Sequence, residues 1–259
     1  MNTKILNIQE EMANTISNRL PERNLGIANK KTFMPKEKTT LEIIKVISNG
    51  RDRTNILRKP EQRTIAFLVQ HIPNWISSDM LTGVGIFGNF IVFLSFFLAA
   101  YFNQNFLLLG PAGFLISWFG DSLDGRIAYY RNKARKWYGF ALDLTTDWIG
   151  TILIGLGFIL YVDQKFTWIG YTFIVLYGWE LLTTVMRYKI TGKYSIDSGL
   201  FGPTEVRIII AAILIMEVII TGSINYFGIV ADAGLLISNI LSFKQLLIQA
   251  DKLDENDKR

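Results

Sequence analysis

The stretch MLTGVGIFGNFIVFLSFFLAAYFNQNFLLLGPAGFLISWF, residues 80–119, decides the fold, because it runs from end to end without an Asp, Glu, Lys, Arg or His. About 20 apolar residues cross a hydrocarbon layer as one helix, so this run makes two crossings, separated by the polar link YFNQN. The whole chain agrees with that reading. Of its 259 residues 50% are hydrophobic and only 19% are charged, with a mean hydropathy of +0.27. An ordinary soluble domain carries more charge. The chain has no cysteine and a single histidine, His71. That excludes disulfide scaffolds, thiolate zinc sites and thiol nucleophiles, and it argues against histidine metal sites and Ser-His-Asp triads. Carboxylates, arginines, lysines and hydroxyls are left to carry chemistry.

Moving outward from residues 80–119, apolar runs give about six spans: Met80 to Phe102, Phe106 to Phe119, Leu142 to Val162, Phe166 to Met186, Val206 to Ile224 and Tyr226 to Leu247. The fold class expected is all-α, a polytopic membrane helical bundle. The second apolar run is short, so its helix is expected to continue through the charged residues that follow. The sixth is the least regular, being interrupted by Asp232. Bases accumulate on cytoplasmic links. The link after the second span holds Arg126, Arg131, Lys133, Arg135 and Lys136, and the link after the fourth holds Arg187, Lys189 and Lys193, whereas the alternate links carry Lys165 alone. Both termini are therefore expected on the cytoplasmic side of a multi-pass protein, in a bacterial cell membrane.

The flanks divide the chain into an N-terminal interfacial segment (1–71), a six-helix membrane domain (72–247) and a charged tail (248–259). The opening residues mix acids with bases and have no apolar run, so no cleaved signal is expected. KKTFMPKEKTT (30–40) reads as a loop, and from Thr40 short apolar groups alternate with Arg and Lys. That pattern suits amphipathic helices lying in the headgroup region. The net charge of +5 comes without a basic, aromatic-interleaved stripe, so nucleic acid is not expected as a partner; membrane lipids are.

Residues 118–150, WFGDSLDGRIAYYRNKARKWYGFALDLTTDWIG, carry the chemistry. Asp121 and Asp124 stand three apart at the end of the second span, and Asp143 and Asp147 four apart at the start of the third. Both spacings put side chains on one helix face. A charged side chain at membrane depth costs at least about 2.5 kcal/mol and usually has a function. Four carboxylates facing one another need cations between them, and an all-oxygen donor set selects a hard ion such as Mg²⁺, Mn²⁺ or Ca²⁺. Magnesium commonly shares carboxylates with substrate phosphates, so a phosphate-bearing substrate completes the site. Gly125 and Gly139 leave the backbone open to an approaching ligand. The plain structural alternative is an interfacial helix end followed by an acidic first turn.

This segment resembles the signature of the CDP-alcohol phosphatidyltransferase family, D-x-x-D-G-x-x-A-R followed by G-x-x-x-D-x-x-x-D. Asp121, Asp124, Gly125, Ala128, Gly139, Asp143 and Asp147 match it. The sequence departs from it at Tyr129, where the family has arginine, and in a spacer one residue longer. Arg131 is the nearby substitute, although two residues turn a helix by roughly 200°; Arg126 and the loop bases are others. Upstream, IPNWISSDMLTGVGIFG (72–88) is similar to the family's lead into its first span, with Asp79 and Thr82 in the places of a nucleotide-holding Asn and Thr. Ser78, Asp79 and Thr82 fit a helix N-cap equally well.

The resemblance covers about residues 72–240 and implies a two-metal (Mg²⁺ or Mn²⁺) transfer, in an enzyme whose relatives are commonly homodimers. It makes Asp121, Asp124, Asp143 and Asp147 metal ligands and Asp147 also the base. It implies donor-binding roles for Asp79, Thr82, Gly125, Ala128, Arg131 and Gly139. The substrates implied are CDP-diacylglycerol and a small polar alcohol, with release of CMP. Reversed roles are the alternative, a CDP-linked amino alcohol donating to diacylglycerol. Arg187 and Arg207 stand at the mouth, where they would bind an anionic acceptor group. From other classes, a cation transporter or an inactive nucleotide-binding homologue would use the same carboxylates. Glu180 and Glu217 lie within spans without an evident role.

Overall fold

In the computed structural model, residues 40–47, 57–192 and 202–257 are described. Among them the chain forms helices and two 3₁₀ turns, with no strand. The expected 30–40 loop, Lys193 and most of the link after the fourth span lie outside the described residues. The helices are α1 (Thr40–Ile47), α2 (Arg58–His71), α3 (Ser78–Tyr101), α4 (Leu109–Tyr130), α5 (Lys136–Tyr161), α6 (Thr167–Thr191), α7 (Pro203–Ile219) and α8 (Ser223–Asp257).

Five segments are long and apolar enough to cross a membrane: Ser78–Tyr101, Gln104–Tyr130, Lys136–Tyr161, Gln164–Thr191 and Ser223–Asn256. Among the described residues the fold is all-helical, with the helices of a multi-pass membrane protein. Its outward-facing side chains are large and apolar, among them Val175, Ile219 and Val230 at 68–70% exposure, as a lipid-facing surface requires. The helix that falls short is α7, with 17 residues. The chain turns at Gly222, whose φ of 90° favours glycine, and α8 begins at Ser223, so the fifth apolar run is divided there. Asp232, which made the sixth run irregular, is accommodated inside an unbroken 35-residue helix. α4 runs on through charged residues as expected, α5 starts at Lys136, before the expected Leu142, and the link between them is only residues 131–135.

That link is short because α4 ends in a tight reversal. The Lys133 N–H donates to Ala128 O and the Asn132 N–H to Tyr129 O, with Asn132 at φ 55°. This is the Schellman arrangement with asparagine in the left-handed position. It folds the acidic end of α4 back towards the acidic start of α5.

Small residues bring α3 and α4 together. A Cβ on Gly120 would lie 2.3 Å from Gly85 N, and one on Gly88 would lie 2.3 Å from Ser117 N. Within a membrane, backbones approach this closely only where side chains are absent. On the same helix pair, Leu81, Leu123 and Ile127 join Ile43 and Ile47 of α1 and Ile65, Ala66 and Val69 of α2 in one buried cluster. The amphipathic helices are thus packed against α3 and α4. α2 also carries Glu61, whose carboxylate pairs with the buried guanidinium of Arg126 at 3.7 Å. His71 closes α2 against its own Phe67, with Nδ1 2.7 Å from the Phe67 carbonyl.

Candidate active site

Three carboxylates converge where α4 and α5 face each other. One oxygen each from Asp121, Asp143 and Asp147 lies within 4.8 Å of the others, and all three residues are half-buried. Asp143 and Asp147 come from successive turns of α5, and Asp121 from α4, as their spacing required. Arg207 of α7 joins them, its Nη2 donating to Asp121 Oδ2 at 2.7 Å. A hard-oxygen donor set with one guanidinium beside it fits a divalent ion.

Asp124 stands slightly apart and is held differently. Thr82 Oγ1 donates to Asp124 Oδ2 at 2.8 Å, the Gly125 N–H donates to Oδ1, and Ser78 Oγ donates to Asp124 O at 2.9 Å. Ser78 and Thr82 are therefore ties between α3 and α4. The N-cap of α3 is Ser77, which accepts from Met80 N at 3.1 Å. Two voids share Thr82 and Asp124. One is a gap of about 10 Å³ bounded by Asp121, Asp147 and Arg207, no larger than a water molecule. The other is a cavity of about 530 Å³ running from Asp143 past Gly125, Ala128 and Gly139 to the bases of the 131–136 loop. A Cβ on Gly139 would meet nothing within 4 Å, so this glycine opens directly onto the cavity.

The basic residues are distributed less simply than the sequence suggested. Arg131 reaches the cavity wall, but its guanidinium clasps backbone carbonyls of the segment leading into α3. It donates to Ile76 O at 2.5 Å, Ile72 O at 3.0 Å and Pro73 O at 2.9 Å. Arg126 is directed to Glu61 and Ser122 O, away from the cavity. Asp79 is paired with Arg135, whose Nη2 lies 2.5 and 2.7 Å from the two carboxylate oxygens. That bond keeps the guanidinium protonated more firmly than usual. The cavity wall includes Tyr188 of α6 and Gly192 just beyond its end, but not Arg187.

Of the residues expected at the site, all line one or other of the two voids except Arg187. Sequence reasoning missed Asn89, which lines the small gap. An asparagine inside an apolar span reads as ordinary packing. Glu205 and Glu217 are structural. Glu205 accepts from Gly202 N at 3.0 Å and from Leu57 N at 2.9 Å. Glu217 accepts from Tyr161 Oη, Gly222 N, Ser223 Oγ and Ile224 N at 2.8–3.2 Å, capping the start of α8.

Comparison with known proteins gives one family. Residues 75–239, well over half of the chain, match the family model described as CDP-alcohol phosphatidyltransferase. No curated protein matches the chain.

Proposed function

We propose, for a chain that belongs to the CDP-alcohol phosphatidyltransferase family, that it moves a phosphatidyl group from CDP-diacylglycerol to a small polar alcohol, with release of CMP. Membership makes it a transferase of phosphate-containing groups acting in phospholipid synthesis, in a family that uses divalent metals. The observation that carries the reading is the convergence of Asp121, Asp143 and Asp147 within 4.8 Å, beside a cavity of about 530 Å³. This volume is in the range of small-ligand sites.

Asp121, Asp143 and Asp147, with Asp124 alongside, would hold two Mg²⁺ or Mn²⁺ ions, which when bound supply Lewis-acid stabilisation of charge on the phosphoryl oxygens. The chain's own residues do the rest. Asp147 accepts the proton of the acceptor hydroxyl, whose oxygen bonds to the phosphorus of the phosphatidyl group as the bond to the CMP oxygen breaks. Proton transfer of this kind contributes about 10²–10⁴-fold. Thr82 fixes the Asp124 carboxylate through its hydroxyl. Arg207 orients Asp121 and brings positive charge to the end where an anionic part of the acceptor would lie. Gly125 and Gly139 keep the cavity wall at backbone level, so that a nucleotide can lie against the helices. In this reading α7, whose 17 residues are at the lower limit of a spanning helix, makes a sixth crossing, so the site and both termini face the cytoplasm in a bacterial cell membrane, and the enzyme is a homodimer, as is common among relatives.

The test is CMP release in detergent from CDP-diacylglycerol, assayed with a panel of small alcohols and followed by mass spectrometry of the lipid product. Release with at least one alcohol is expected. No release from CDP-diacylglycerol, combined with release from a CDP-linked amino alcohol plus diacylglycerol, would replace this reading by the reversed one. Ion flux that needs no nucleotide would restore the transporter alternative.

A further inference from the structure

The cavity has carboxylates at one end and bases at the other, and the question is which base meets an anionic ligand. Arg131 is committed to three backbone carbonyls, and releasing it would unfasten the segment leading into α3. Arg126 pairs with Glu61 outside the cavity. Arg207 is bonded to Asp121. Arg135 differs in kind. It lines the cavity, its ring neighbour Tyr138 lies 3.9 Å beneath the guanidinium, and its hydrogen-bond partner is a side chain that can swing away. That partner, Asp79, also lines the cavity. The two side chains are 54% and 45% exposed, so water can solvate each when they part. Exposed ion pairs of this sort are weakly coupled. A guanidinium nitrogen that already holds both oxygens of a carboxylate can hold the oxygens of a phosphate in their place.

We propose that Arg135, beside Lys133 and Lys136 which also line the cavity, is an anion-binding residue there and that Asp79 holds it in reserve. The diphosphate of a CDP-linked donor then binds by taking the place of the Asp79 carboxylate on the guanidinium. The inference rests on the donor class proposed above and makes it more specific. It changes the part played by Asp79 from a donor contact to a competitor of the donor, and it places the positive charge missing at Tyr129 on the far side of the α4–α5 link. Stacking on Tyr138 keeps the guanidinium at the wall during the exchange.

The experiment is equilibrium binding of CDP, and separately of CDP-diacylglycerol, to the full chain in detergent with Mg²⁺ or Mn²⁺. It compares the unmodified protein with Asp79→Asn, Arg135→Gln and the double variant. Asp79→Asn should tighten binding about two- to fivefold, the scale of an exposed pair. Arg135→Gln should weaken it about tenfold or more, the scale of a lost hydrogen bond between charged groups. In the double variant the Asp79 change should have no further effect, because no guanidinium remains to be released. Tighter binding cannot arise from misfolding, so Asp79→Asn stays informative if Arg135→Gln proves unstable. Weaker binding by Asp79→Asn, or unchanged binding by a folded Arg135→Gln, overturns the proposal while leaving the donor class standing. If the unmodified protein binds neither CDP nor CDP-diacylglycerol, the donor class falls and this inference with it.

Discussion

Two kinds of acid sit inside the apolar bundle, one fully buried and one half-buried, and they are solved in opposite ways. Glu217, 2% exposed, is surrounded by donors: a tyrosine hydroxyl, a serine hydroxyl and two backbone N–H groups of the turn into α8. Its charge is consumed by the fold. Asp121, Asp143 and Asp147 instead face one another within 4.8 Å, with Arg207 as a bonded cation. Burial of a carboxylate in a membrane helix therefore does not by itself mark a site. What distinguishes the two is whether the neighbours are donors that complete the group or acids that repel it.

The sharpest way to break this contrast is to neutralise one acid of each kind. Asp147→Asn should abolish turnover, a loss of at least about 10²–10⁴-fold, with CDP binding and thermal unfolding little changed; turnover within tenfold of the unmodified protein would refute its role as base. Chelation of divalent ions should silence the enzyme just as fully, and added Mg²⁺ or Mn²⁺ should restore it. Next in size is the packing of α4, which carries Asp121, against α3. Gly120→Ala puts a Cβ 2.3 Å from Gly85 N and 2.5 Å from Leu81 O, so α4 must shift against α3. A displacement of about 1 Å at a reacting centre costs about 10²-fold, readable as a fall in kcat in protein that still elutes as a folded species.

Glu217→Gln should do the reverse of Asp147→Asn. It should lower stability by about 1–3 kcal/mol, seen as earlier thermal unfolding, while turnover per folded molecule is unchanged. The smallest effect belongs to the cavity wall. Gly139→Ala has nothing to clash with inside the protein, so stability should hold while the KM for the donor rises several-fold. An unaltered KM would show that the nucleotide does not lie against that helix.

The sequence revealed the architecture where its signal was periodic and the chemistry where it was dense. The apolar runs gave the spans, and the three- and four-residue spacings of the acids put Asp121, Asp143 and Asp147 on facing surfaces. Pairings between distant residues were not legible. Nothing local to IPNWISSDMLT shows that Asp79 will be met by Arg135 or that Thr82 will bond Asp124. Arg131 lies near enough in sequence to stand in for the missing arginine, but the reversal at Asn132 brings it to the carbonyls of residues 72–76. Hydropathy counting also could not locate the end of α7. That end is fixed by Gly222 and by the capping of α8 through Glu217, both invisible to an average over apolar residues.

The contact between Glu61 and Arg126 has a practical bearing on how small an active fragment can be made. The family match begins at residue 75, which invites trimming everything before it. Such a fragment would discard α2, and with it the counter-ion of a guanidinium that is 5% exposed and only two residues beyond Asp124. It would also uncover Leu81, Leu123 and Ile127. The shortest autonomous form of this enzyme therefore starts no later than Arg58.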